Sequence, residues 1–271
     1  MKSTINPKFQ SLETIHSKDN QLIKKLKGLI AESRAYKNVG ELWLEGEHLC
    51  SAAFDKGVEI QHLICAASQL SELTRRYPQW LENSNKITLL QDELFHKLSP
   101  LPSPTYVGFL VNIPKLKSLN SKIPTVILDR VQDAGNVGSV LRSASAFGFK
   151  QIIALKGTAN LWSNKVVRSG MGAHFGLSLI ESDSFAEVKS LEIPLLCTSS
   201  HVGIFLDELQ STNRLPNPCA WVFGHEGQGV SQELFDLANM KVKIAQPGGE
   251  ESLNIGAASA ICLYASSTVR P

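Results

Sequence analysis

At 271 residues, 43% hydrophobic and 19% charged, the chain has room for two modest domains that each bury a core, in the composition of a soluble globular protein. No apolar run approaches the ~20 residues of a membrane span, and the polar start MKSTINPKFQ lacks a signal peptide's hydrophobic region, so a cytoplasmic location without a membrane partner is expected. A formal net charge of +2 says little about nucleic acid by itself.

The first part alternates helix and strand. Apolar spacing and turn residues predict a helix from about Lys18 to Ala35, beginning after Ser17, and a strand over Leu42 to Leu44. A helix from Glu47 should end at Gly57, a residue suited to the left-handed position just past a helix. Strand Ile60 to Cys65, helix Ser68 to Tyr77, strand Lys86 to Leu90, helix Asp92 to Leu98 and strand Tyr106 to Ile113 follow, completing an α/β sandwich. Residues 1 to 40 hold eight cations (Lys2, Lys8, Lys18, Lys24, Lys25, Lys27, Arg34 and Lys37) against Glu13, Asp19 and Glu32. Such a basic helix either gains affinity for phosphates by counterion release or is a solvated amphipathic face. The segment IPKLKSLNSKIP, bracketed by Pro114 and Pro124 and rich in Lys, Ser and Asn, reads as a linker over 114–123 between domains 1–113 and 124–271.

In the second part, strands are expected near 125–129, 151–155, 177–180, 194–198, 219–223 and 241–244, mostly followed by helices. That alternation implies a largely parallel sheet covered on both faces, and by pattern alone a doubly wound, Rossmann-like fold. Three segments stand out. Val126 to Phe149 reads as a buried strand, a tight turn holding Asp133, Gly135, Asn136 and Gly138, and a helix to about Phe147 whose Arg142 falls off the apolar stripe. Trp221 to Ser231 repeats the design, with Glu226 in a Gly-rich turn and Ser231 as a helix cap. Ile244 to Ala265 is a third, in which Pro247, Gly248 and Gly249 stop the strand and Ser252 and Asn254 open a helix rich in Ala, Ser and Gly.

Other chemistries find less support. Gly170, Gly172 and Gly176 miss the dinucleotide fingerprint by one residue, with Phe175 in the third glycine's place, and no Walker lysine is present. Cys50, Cys65, Cys197, Cys219 and Cys262 are odd in number, far apart and mostly inside apolar patterns, so buried free thiols are expected. The seven histidines show no metal-ligand spacing, and no metal is expected. His201 and His225, in loops beside the unusual turns, read more simply as surface or supporting residues.

The N-x-G-x-x-x-R of Asn136 to Arg142, the F-G-x-E-G-x-G of Phe223 to Gly229 and the E-S-L-N of Glu251 to Asn254 resemble the three ordered motifs of the SpoU/TrmH RNA 2′-O-ribose methyltransferases, over roughly residues 123–271. The stretch SKDNQLIKKLKGLIAESRAYKN followed by LWLEGEHL is similar to that family's L30e-like substrate-binding domain. The resemblance implies a C-terminal trefoil-knotted (SPOUT) α/β domain, with the chain after Gly248 tucked through an earlier loop, S-adenosyl-L-methionine (AdoMet) as cofactor, a homodimer, and RNA as partner, ribosomal RNA of the large subunit before transfer RNA. It implies that Arg142 takes the 2′-OH proton. Because a guanidinium stays charged, binding the adjacent phosphate and stabilising alkoxide charge is an equally physical role. Asn136 would orient Arg142 or the hydroxyl, Glu226 would fix its loop, and Ser252 and Asn254 would floor the site. Gly224, Ile244 and Leu253 would surround the adenosine, with Thr198 and Ser199 beside them. Lys24, Lys25, Lys27 and Arg34 would meet RNA phosphates, and Arg168 either does so from its loop or is solvated. The stretch Ala245-Gln246-Pro247 departs from the family's frequent I-P-M start of its third motif. A non-catalytic RNA-binding module is the competing reading, against which the joint presence of Asn136, Arg142, Glu226, Ser252 and Asn254 counts.

Overall fold

Apolar strands gather into two sheets, and the chain falls into two units: residues 1–114 with 162–164, and residues 115–161 with 165–271. The computed structural model describes residues 12, 14–104, 106–115, 118–249 and 252–269.

In the first unit the order is β1 (Thr14–Ile15), α1 (Gln21–Ala31), α2 (Ala35–Val39), β2 (Glu41–Glu45), α3 (Glu47–Asp55), β3 (His62–Ala66), α4 (Leu70–Arg76), α5 (Pro78–Glu82), β4 (Ile87–Leu90), α6 (Asp92–Leu98) and β5 (Val107–Asn112). The strands pair in the order β1-β4-β3-β5-β2, parallel through β3 and antiparallel at β5. The helix expected from Lys18 to Ala35 is shorter. The Asn20 side chain accepts the Leu22 N–H at 2.9 Å, so the helix starts at Gln21, and extended Glu32 ends it. Arg34 therefore leaves α1 and stands at the start of α2. Ile23, Leu26 and Leu29 form the buried stripe of α1 and pack with Trp43, Ile64, Phe95 and Leu110. Pro78, which fits the first helical position, opens the unforeseen α5.

The second unit comprises β6 (Thr125–Leu128), α7 (Ala134–Ala146), β7 (Gln151–Leu155), α8 (Asn164–Gly170), β8 (Ser178–Ser182), α9 (Ala186–Lys189), β9 (Leu195–Thr198), β10 (Ile204–Phe205), α10 (Leu206–Ser211), β11 (Ala220–Phe223), α11 (Gln232–Leu237), β12 (Met240–Lys243) and α12 (Ile255–Ser267). All seven strands are parallel, in the order β10-β12-β9-β11-β6-β7-β8. The pattern-based Rossmann-like expectation is corrected here. In that order β9 would flank β6, whereas β11 inserts between β6 and β9, and β12 takes β9's far side. The two-residue edge strand β10 is too short to leave a periodic signal. Full burial of β6, β7 and β11 is what a sheet covered on both faces demands.

Close packing fixes α7. A Cβ on Gly138 would lie 2.5 Å from Ser169 Cβ, and the Ser169 hydroxyl donates to Ala134 O at 2.7 Å, seating α7 against the end of α8. On its other side α7 meets α12, where Gly256 faces Ser139 and Phe147 sits edge-on to Tyr264 at 5.6 Å. Ser231 precedes α11, but its side chain makes no capping bond, correcting the expected cap. All five cysteines are free and buried; burial pushes the Cys65 and Cys197 thiols up to about 12. Among the described residues no helix is long and apolar enough to cross a membrane, and no three metal-ligating side chains converge.

Two buried histidines make the protein acid-sensitive. Burial, reinforced by Lys86 and Lys25, pushes His62 down to about 4, where its Nε2 lies 2.7 Å from Thr88 Oγ1. Burial pushes His174 down to about 4 as well, partly opposed by its bond to Leu161 O. Both folded values are depressed, so unfolding takes up protons, and the stability each contributes is whole above about pH 6.5 and is lost as pH falls through 4. Urea unfolding is expected to show a loss on the order of 1 to 3 kcal/mol per histidine between pH 7 and 4, flattened in His62→Gln.

Candidate active site

In an open parallel sheet, side chains from several loops meet beyond the carboxyl ends of the strands, where the strand order reverses. Here the reversal lies between β6 and β11, and the turns after β6, β11 and β12 are the three unusual segments of the sequence. A relay of side-chain amides joins them. Glu226, after β11, accepts the Asn136 Nδ2–H at 3.1 Å and the backbone N–H groups of Asp133 and Gln132 at 3.2 and 3.3 Å. Asn136 Oδ1 in turn accepts from Asn254 Nδ2 at 2.9 Å, and Asn254 Oδ1 caps α12 by accepting from Gly256 and Ala257. Each amide orientation is dictated by its neighbours: a carboxylate only accepts, a backbone N–H only donates.

The structure moves Asn136 from the turn into the first turn of α7, because Asp133 is the cap and its Oδ1 accepts the Asn136 N–H at 2.7 Å. Arg142, six residues on, lies about 9 Å further along the helix and off the Asn136 face. Its side chain is exposed and forms no hydrogen bond or ion pair with a described residue, so the relay and the arginine are separate parts. Ser252, Leu253 and Asn254 are exposed at the start of α12, while Glu251 lies outside the described residues.

The Gly224–Val230 turn is folded tightly on itself. A Cβ on Gly224 would stand 2.2 Å from Gly229 C and Val230 N, which only glycine tolerates. His225 and Gly229 exchange both backbone hydrogen bonds, at 3.0 and 2.8 Å, and His225 Nδ1 accepts the N–H groups of Gly227 and Gln228. His225 is therefore a staple within the turn, its proton on Nε2. Thr198 and Ser199 sit at the end of β9 with side chains engaged locally. The Thr198 hydroxyl donates to Val222 O at 3.0 Å, and Ser199 Oγ accepts from His201 and Val202 N–H. Ile244 follows β12 and is half-buried. Arg168 is half-buried on α8 rather than in a loop.

Two residues that sequence reasoning passed over are Asp129 and Arg130, directly after β6. Asp129 is 2% exposed and receives the Arg130 Nε–H and Nη2–H at 3.0 and 3.2 Å and the Ser231 N–H at 2.6 Å. The only sequence signal was an acid and a base ending an apolar strand. In the first unit, Lys24 and Lys27 are exposed one turn apart on α1. Lys25 is committed to an ion pair with Glu41, and Arg34 is off the helix, so the continuous basic face shrinks to two lysines.

Burial raises the Glu226 pKa, but the hydrogen bonds from Asn136 and the backbone of Glu226, Asp133 and Gln132 outweigh it and hold the carboxyl below its usual range. The contribution of that charge is present above the ordinary carboxylate value and fades as pH falls through the lowered one. Glu226→Gln is expected to cost under about 1 kcal/mol at pH 7, discounted for exposure, with the difference from the native protein vanishing at a pH below the lowered carboxyl value. Parallel urea titrations at the two pH values check it.

An all-parallel seven-stranded sheet with these three turns joined by one relay defines a class of α/β enzyme. The chain belongs to the SpoU rRNA methylase family, whose sequence model matches residues 124–264. The 23S rRNA (guanosine(2553)-2′-O)-methyltransferase RlmP of Bacillus subtilis is 25% identical, over 93% of this chain and 98% of its own. The mitochondrial rRNA methyltransferase 3 of Xenopus laevis is 31% identical, over 87% of this chain and 71% of its own. Among solved structures, the SpoU methyltransferase AviRb of Streptomyces viridochromogenes, crystallised with AdoMet, superposes with a TM-score of 0.77 at 23% identity, covering 92% of this chain and 97% of its own.

Proposed function

We propose that the protein transfers the AdoMet methyl group to a ribose 2′-hydroxyl of large-subunit ribosomal RNA. The observation that carries this reading is the Glu226–Asn136–Asn254 relay, which gathers three motifs far apart in sequence at the head of the helix that bears the exposed Arg142. The near full-length similarity to RlmP supports the RNA class.

The turns fit the cofactor. Leu253 is 37% exposed and offers an apolar wall, and the Gln246 Oε1 is buried with no partner among the described residues, an acceptor that an adenine amino group would satisfy. Gly224, Ile244, Leu253, Thr198 and Ser199 would hold the adenosine. When bound, AdoMet supplies an electrophilic methyl carbon on a sulfonium. The chain's task is to orient the hydroxyl and manage its proton. Asn136 is held rigid by Glu226 and Asn254 at the head of α7, so the helix bearing Arg142 is fixed. The Arg142 guanidinium binds the flanking phosphate and stabilises charge developing on the 2′-oxygen, while water or that phosphate takes the proton.

The same reading makes the first unit the L30e-like RNA-binding domain and keeps the knotted passage after Gly248. It also makes the protein a two-fold dimer through α7 and α12, a pairing supported by exposed Ile261 and Tyr264 on α12.

Purified protein with AdoMet and large-subunit RNA is expected to yield one mapped 2′-O-methyl nucleotide; none on that RNA overturns the substrate class. Arg142→Ala should lower single-turnover methylation by on the order of 10²- to 10⁴-fold, leaving AdoMet affinity unchanged, with Arg142→Lys separating charge from guanidinium geometry. A double Lys24→Ala, Lys27→Ala variant should flatten the salt dependence of RNA binding by a slope of roughly 0.7 to 0.9 per lost phosphate contact, whereas Lys25→Ala should change it less. Filter binding across a salt series measures both.

A further inference from the structure

Arg130 adopts φ +60°, in the left-handed region that costs any side-chain-bearing residue and suits glycine. Its side chain packs on Gly157, where a Cβ would lie 3.1 Å from Arg130 Cγ. The guanidinium spends two of its five N–H groups on buried Asp129 and sends two more across to the Gly224–Val230 turn: Nη1–H donates to Gln228 Oε1 at 2.8 Å and Nη2–H to Gly229 O at 3.2 Å. Neutralising Asp129 needs neither of those reaches, nor the strained backbone that aims them.

The turn needs an anchor. Residues 226–229 are all exposed, so core packing does not hold them. Glu226 ties one side of the turn to Asn136 and to the backbone before α7. The Arg130 bonds tie the other side to the end of β6, and the His225–Gly229 pair closes the loop between the two anchors.

We infer that Arg130, braced by Asp129, is a positioning residue that pre-forms the Gly224–Val230 turn for the adenosyl part of the cofactor. This rests on the turn being a wall of the AdoMet site. Without the brace the turn would have to be ordered on binding, so the loss falls on cofactor affinity and hardly on RNA affinity or on the rate at saturating cofactor.

The test uses the full chain with S-adenosylhomocysteine as probe. Arg130→Lys keeps a cation beside Asp129 but loses the planar fork. It is expected to weaken S-adenosylhomocysteine binding by on the order of 10-fold in calorimetry and to speed amide exchange over residues 225–230, with thermal midpoint and RNA affinity close to the native protein. Gln228→Ala, an exposed truncation that leaves Asp129 paired, should give a loss of about 2- to 5-fold, the worth of one hydrogen bond. Native-like exchange and affinity in Arg130→Lys would overturn the inference. If Arg130→Lys unfolds, native-like exchange in Gln228→Ala does so instead. A native protein that fails to bind S-adenosylhomocysteine would defeat the cofactor reading, while exchange over 225–230 still decides whether Arg130 orders the turn.

Discussion

One carboxamide holds the candidate site together. Asn136 donates to Glu226, 90 residues away, and accepts from Asn254, 118 residues away, so a single side chain joins the turns after β6, β11 and β12. Shorter, charged or longer replacements serve less well. A serine is too short to span both partners, an aspartate would repel Glu226, and a glutamine adds a rotor that must be frozen. The relay is also directional, ending in a helix cap at α12, so the charge on Glu226 fixes in sequence the orientation of two amides and one helix start.

This constraint explains a division of labour. Glu226 accepts three hydrogen bonds within the protein and Asn136 is engaged at both ends of its amide, and groups so committed are poor candidates for moving a substrate proton. Arg142 is the reverse, exposed and uncommitted on a helix that the relay, Gly138 against Ser169, and α12 fix from three directions. Rigid support beneath an unoccupied charge is the arrangement electrostatic stabilisation requires, since no reorganisation is then needed as charge develops.

Much of this architecture was legible because strong local signals coincide. Apolar β-branched runs such as Val126 to Leu128, broken by Gly and Pro, mark the strands of the second unit and the turns that follow them. What stayed hidden is non-local. Nothing local says that β11 rather than β9 flanks β6, that Lys25 is consumed by Glu41, or that Asp129 and Arg130 grip the turn at Gly229. Boundaries slipped where two caps competed: Asn20 won over Ser17, and Asp133 began α7 early enough to draw Asn136 into the helix. Ser231 fails in the opposite sense, since its own N–H is taken by Asp129 and its hydroxyl never turns to the helix.

The placement of charge then makes sense at a low net charge. In the second unit buried Asp129 is neutralised by Arg130, whereas Glu226 is held by neutral amides and keeps its charge. Arg142 and, in the first unit, Lys24 and Lys27 remain as unshielded cations. For a polyanionic partner the relevant quantity is the number of cations free to displace counterions, which a sum over the whole chain conceals. A net charge of +2 therefore does not measure what the chain offers a polyanion; its exposed cations without an acidic partner do.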